Sequence, residues 1–131
     1  MVFKGTPTRT SFQIDAEIED AGGQTNAYTS REITSFYAKM LKDDAELALD
    51  VLADIVLNAS FPDEEVVKER DVVIQEIKQT IDTPDDIIFD YLQQQAYAGQ
   101  PLGRPILGSI EKVSGFTADD LRKYRKRFYV A

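Results

Sequence analysis

The chain has 131 residues, 43% of them hydrophobic and 29% charged, with a net charge of −8, which suits an ordinary soluble domain with one core. Such an acidic balance repels nucleic acid and anionic lipid, and no apolar run is long enough to cross a bilayer, so neither nucleic acid nor membrane insertion is expected. There is no cysteine and no histidine, which excludes disulfides, thiolate metal sites, Ser-His-Asp catalysis and any ordinary zinc site built from this chain alone.

Residues 1–9, broken by Gly5 and Pro7, predict irregular chain without the apolar stretch of a signal peptide. Thr10 or Ser11 caps a predicted helix to about Ala21, with Phe12, Ile14 and Ile18 as its apolar positions and Gly22-Gly23 as its stop. Residues 24–29 and 32–40 read as two strands about a turn at Ser30-Arg31. Alternation sets Ile33, Ser35 and Tyr37 on one side and Thr34, Phe36 and Ala38 on the other. Asp43-Asp44 place negative charge at the start of a helix to Asn58, and its apolar residues cover most of the circumference, so deep burial is expected. After Phe61-Pro62 a long helix is expected from Asp63 to Ile81. Asp82-Thr83-Pro84 restarts another to about Tyr97, with Ile87, Ile88, Tyr91 and Leu92 facing inward. Gly99 to Gly108 is a loop, Ser109 to Val113 a short turn, and Thr117-Ala118-Asp119-Asp120 caps a last helix to Arg127. The basic run from Arg122 to Arg127 reads as a solvated helix C-terminus, and Phe128-Tyr129-Val130 as the opening of a further strand. Four to five helices and one hairpin predict the α+β class: several helices packed on an antiparallel β-hairpin that is part of a larger, incomplete sheet, because two strands alone leave both edges unpaired.

The helix over 63–81 carries the most informative pair. Glu69 and Glu76 are seven residues apart, which returns the side chain to within about 20° and separates the carboxylates by about 10 Å along the axis. With Val66 at zero, Val73, Ile77, Ile81, Ile74 and Val67 fill an arc from about −20° to about 100°. The glutamates fall at about −60° and about −80°, with Val72 beyond them near −120°. A carboxylate bracketed by apolar positions needs a cation, a metal or several donors. The plain reading is a rim carboxylate paired with Arg70 or Lys78; the functional one is a metal ligand.

Four segments occur in order: Met1-Val2-Phe3-Lys4-Gly5-Thr6, then Glu19-Asp20-Ala21-Gly22-Gly23-Gln24-Thr25-Asn26-Ala27-Tyr28-Thr29, then Glu69 to Ile77, then Pro101 to Gly108. Together they resemble the pitrilysin/insulinase family of zinc metallopeptidases, its processing-peptidase branch included, over the whole chain. The resemblance implies zinc held by an inverted His-x-x-Glu-His motif, whose Glu is the general base, together with a distal glutamate. The family's Met-x-Phe-x-Gly-Thr segment directly follows that motif, so the motif is expected upstream of Met1 and no catalytic residue is expected in this chain. Glu76 stands at the place of the distal zinc ligand, and Glu69 at that of a carboxylate supporting the site from behind the ligands. Asn26, Ala27, Tyr28 and Thr29 resemble the edge strand that holds an extended substrate by main-chain hydrogen bonds. Asn26 is also readable as a residue that only shapes the turn after Gly22-Gly23, and Tyr28, Phe36 and Tyr37 as packing residues.

The implied picture is of residues 1–131 as a single partial domain, the middle section of the catalytic domain of a zinc metalloendopeptidase that cleaves extended peptides or presequences. The expected compartment is the bacterial cytoplasm, with the mitochondrial matrix as the alternative. With one implied zinc ligand and no general base, the chain alone is expected to be inactive and to bind no zinc tightly. A rival reading is a non-catalytic scaffold or presequence-binding subunit of the same family; a third is an acidic helical interaction module. Exposed strand edges predict a homo-oligomer, with a peptide as the substrate partner of the parent protein.

Overall fold

Punctuation in the sequence sets the elements of the computed structural model, which describes residues 1–130. The order is α1 (Ser11–Asp20), β1 (Gln24–Thr29), β2 (Thr34–Lys39), α2 (Ala45–Asn58), α3 (Asp63–Asp82), α4 (Pro84–Ala96), α5 (Ile110–Gly115) and α6 (Ala118–Phe128). Among the described residues the sheet has only β1 and β2, so the class is α+β with an incomplete antiparallel sheet, as expected. Thr10 caps α1 through a capping box: its hydroxyl accepts from the Gln13 amide while the Gln13 side chain accepts from the Thr10 amide at 2.9 Å. The same device, Thr117 with Asp120, starts α6. Gly22, at φ 71°, ends α1 in a Schellman motif, its N–H donating to Glu19 and that of Gly23 to Ile18, both at 2.8 Å. A Cβ on the buried Gly23 would stand 2.7 Å from Met40 Cγ and 3.1 Å from Ile18 Cγ2. Gly23→Ala is therefore expected to lower the unfolding free energy by about 1–3 kcal/mol, readable in a urea titration.

The residues fall into two compact units. One holds residues 1–28, 35–66 and those from Thr117 on. Its core pairs Ile14 and Ile18 of α1 with Val51 and Ile55 of α2, each pair one helical turn apart, and Val2, Phe3, Met40, Leu47, Leu52 and Val56 pack around them. A second cluster joins Ala59, Phe61, Val66 and Ala118, with Met1, Val2 and Leu121 against it. Phe61 has φ 48°, a conformation costly for a bulky residue. Pro62 disfavours the right-handed helical alternative at that position, and burial of the ring holds it there. Arg122 donates to the carbonyls of Ser60 at 3.3 Å and Phe61 at 2.9 Å, and Arg125 to that of Ala59 at 2.6 Å. The basic run of α6 is thus not simply solvated: two of its arginines satisfy carbonyls at the exit of α2. Where a strand opening was expected, Phe128 ends α6 and Tyr129 closes it, its N–H donating to Arg125 at 2.8 Å.

The other unit holds residues 29–34 and 67–116. Ser109 caps α5, which is a short helix rather than the expected turn, so the helices among the described residues number six. Ile77 and Val113 are its buried apolar residues. Two burial expectations fail. Ile88, Tyr91 and Leu92 of α4 are exposed, and only Ile87 of that set is half-buried. In the first unit α2 is not buried all round, since Leu49 is 69% exposed while Asp54 is buried. Each helix has more apolar surface than the described residues cover.

Candidate functional site

The uninterrupted α3 positions the two glutamates. Asp63, Glu64 and Glu65 place negative charge at its N-terminus, where the helix dipole favours it, and neither Gly nor Pro interrupts it through Asp82. Its buried stripe is narrower than the expected arc. Val66 and Ile77 are buried, Val73 and Ile74 half-buried, and Val67, Val72 and Ile81 exposed. Glu76 is exposed, not held at the edge of a core: of the apolar residues expected to bracket it, Val72 is exposed and Val73 only half-buried. The rim-pair reading does not hold for Glu76. Arg70 donates instead to the carbonyls of Ser114 at 3.3 Å and Phe116 at 3.2 Å, and among the described residues Glu76 takes part in no ion pair. Glu69, two turns earlier, is half-buried and already engaged.

Zinc takes three or four protein donors, preferably nitrogen or sulfur. The chain has no histidine or cysteine, and among the described residues no group of three carboxylates is arranged to hold a metal ion. The residues present do not make a zinc site by themselves, and Glu76 qualifies only as one oxygen donor within a larger set.

β1 carries the substrate residues inferred from the sequence. Thr25 and Ala27 are half-buried, while Asn26, Tyr28 and Thr29 are exposed. The Asn26 side chain accepts from the Ala27 amide at 2.8 Å, a local contact that shapes the strand itself. With β2 as its only neighbour among the described residues, β1 keeps one edge open.

Two arginine clusters were not anticipated. In the first unit Arg9 reaches Asp54 at 2.9 Å, Glu17 at 3.0 Å and Asp50 at 2.5 Å. Asp54, 8% exposed, also accepts from Thr6 at 2.8 Å, Thr8 at 2.9 Å and Asn58 at 2.9 Å. Burial pushes the Asp54 carboxyl up, but the donors Asn58, Thr6, Arg9 and Thr8 more than offset this and bring it down to about 2. The hydrogen bond to Asp54 is the foremost influence holding the Arg9 guanidinium firmly charged. A signal was present: Asp54 lies between Val51 and Ile55, on the buried stripe of its helix, and a carboxylate there requires a cation. In the second unit Arg31 donates to Asp90 at 2.6 Å, to the Leu102 carbonyl at 3.3 Å and to the Arg104 carbonyl.

Comparison with known proteins bears on the family and the fold. The family model of insulinase (peptidase family M16) matches residues 1–110. The chain is 45% identical over 131 residues to a probable mitochondrial-processing peptidase subunit beta of Arabidopsis thaliana, covering 100% of this chain and 25% of that protein. It is 45% identical over 129 residues to an uncharacterized zinc protease of Bacillus subtilis, covering 98% and 32%. The crystal structure of a protease from Helicobacter pylori superposes with a TM-score of 0.91 at 24% identity, over 98% of this chain and 31% of that one, which supports the fold. The chain thus spans about a quarter to a third of the curated relatives it matches.

Proposed function

Because this chain belongs to the insulinase family of peptidases, we propose that it forms part of the catalytic domain of a zinc endopeptidase acting on extended peptides, presequences among them. The observation that carries the reading is Glu76: a carboxylate held on an unbroken helix, exposed and, among the described residues, without an ion-pair partner, inside the segment matched by the family model. In this reading Glu76 is one of the metal's donors, Glu69 orients it, and the histidines and the general base come from outside these 131 residues. Bound zinc would supply Lewis acidity and a water of lowered pKa. The open edge of β1, at Asn26, Ala27, Tyr28 and Thr29, accepts the peptide as an added strand, so that backbone pairing rather than side-chain identity supplies most of the grip.

The test compares this chain with the full-length polypeptide that carries it. Expected is cleavage of a presequence-like peptide by the full-length protein, abolished by a chelator and restored by zinc, and no cleavage by residues 1–131 alone. Chelator-insensitive cleavage, or zinc-dependent cleavage by the 131-residue chain, would overturn the reading.

A further inference from the structure

Where a carboxylate on an unbroken helix points depends on the rotation of that helix about its axis. α5 holds the rotation of α3 at two places, both within the unit of residues 29–34 and 67–116. At one, the half-buried Arg70 donates to the carbonyls of Ser114 at 3.3 Å and Phe116 at 3.2 Å, at the C-terminal end of α5. Carbonyls there have no partner inside their own helix, and a cation beside them suits the helix dipole. At the other, Ile77, Thr80 and Ile81 of α3 share the lining of one cavity with Ser109 and Ile110, where α5 begins. α5 therefore runs antiparallel to α3 along the stretch that carries Glu76. Arg70 and Ile77 are seven residues apart, so they share a face to within about 20°, and each directly follows one glutamate of the pair. The gripped face thus lies about 100° round α3 from Glu69 and Glu76. With six residues, α5 is too short to persist unaided and relies on its ends. The Ser109 hydroxyl accepts from the Lys112 amide at 3.3 Å at one end, and Arg70 serves the other.

We propose that Arg70 is a positioning residue for Glu76: by fastening α3 to the end of α5 it fixes the rotation of α3, and with it the place of the Glu76 carboxylate. This rests on the peptidase reading above, in which that carboxylate is a donor to zinc. Side chains reach about 5–6 Å from a helix axis, so a turn of about 20° carries a carboxylate about 2 Å sideways, the length of a zinc–oxygen bond. Groups that only orient a ligand are worth about 10- to 100-fold in metal affinity.

The test measures zinc affinity by chelator competition in the full-length polypeptide that carries this chain, with Glu76 intact and in the Glu76→Gln background. Arg70→Met keeps the apolar stem and removes the donors. It is expected to weaken zinc binding by about 10-fold, and Arg70→Lys, which still donates to a carbonyl, to recover most of the loss. In the Glu76→Gln background Arg70→Met is expected to change the affinity by less than about twofold, because a residue that acts through Glu76 then has nothing left to position. A merely structural Arg70 would lower stability in both backgrounds and leave the affinity of the folded molecules unaltered. Should Arg70→Met fail to fold, Ser109→Ala loosens α5 from its other end and is expected to weaken zinc binding by about threefold, again only with Glu76 present. Unchanged affinity in the folded variant, or an equal loss with and without Glu76, overturns the proposal. If the unmodified full-length protein binds no zinc, the peptidase reading itself fails and the role of Arg70 falls with it.

Discussion

Glu76→Gln in the full-length protein is expected to weaken zinc binding by at least about 100-fold and to remove peptide cleavage with it, while changing the unfolding free energy of the zinc-free protein by less than about 0.5 kcal/mol. The two halves of that result come from the same geometry. Glutamine keeps the length and shape of the side chain but offers a neutral amide oxygen, a far poorer donor to a divalent cation than a carboxylate. Losing a partner that merely orients a ligand already costs about 10- to 100-fold, so losing the ligand itself should cost no less. Stability is spared because Glu76 is exposed and, among the described residues, holds no ion pair to be broken. Chelator competition measures the first effect and thermal unfolding of the zinc-free protein the second. Unchanged zinc affinity would end the assignment of Glu76. Lost affinity accompanied by a large drop in stability would show that the carboxylate serves the fold instead.

Local chemistry made the elements legible. Thr10 with Gln13, Thr117 with Asp120, and the glycine pair after α1 act within a few residues, so the sequence displays them directly. Burial was harder to read because it depends on what covers a helix. The apolar positions of α4 promised an inward face, and Tyr91 and Leu92 stand exposed because no described residue covers them. The same misjudgement placed Glu76 at the edge of a core and Leu49 inside one. The strand opening expected at Phe128 failed for a different reason, since a backbone bond to Arg125 completes the helix there. As for the candidate site, its residues were inferred from the family resemblance, but nothing in the composition or spacing announced the two arginines. Arg31 and Arg9 take partners 59 and 45 residues away, and no periodicity reaches that far. The one available clue lay in Asp54, where the rule that a buried carboxylate needs a cation, applied to α3, belonged on α2.

Arg9→Ala is expected to destabilise the chain by about 3–5 kcal/mol at neutral pH, a large share of the roughly 5–15 kcal/mol that holds a domain together. The cost comes from what is left behind. Asp54 would remain buried and charged, with the hydroxyls of Thr6 and Thr8 and the amide of Asn58 but no cation. The links from Arg9 to Glu17 and Asp50 matter less, since those carboxylates are 36% and 67% exposed and water competes for them. Acid provides the check. Folding lowers the Asp54 carboxyl from an ordinary 3.8 to about 2, so its contribution is fully present above the ordinary value and is lost as pH falls from there through about 2. The unmodified protein should lose about 2 kcal/mol from this group over that window. In Arg9→Ala one of the influences holding the carboxyl down is gone while burial still pushes it up, so Asp54 protonates at higher pH and the buried charge disappears sooner. The gap between the two proteins, measured by urea unfolding at a series of pH values, should therefore be widest near neutrality and close progressively below about pH 4. A gap that stays constant down to pH 2 would mean that Arg9 stabilises through the packing of its stem, and that the charge on Asp54 is not what it balances.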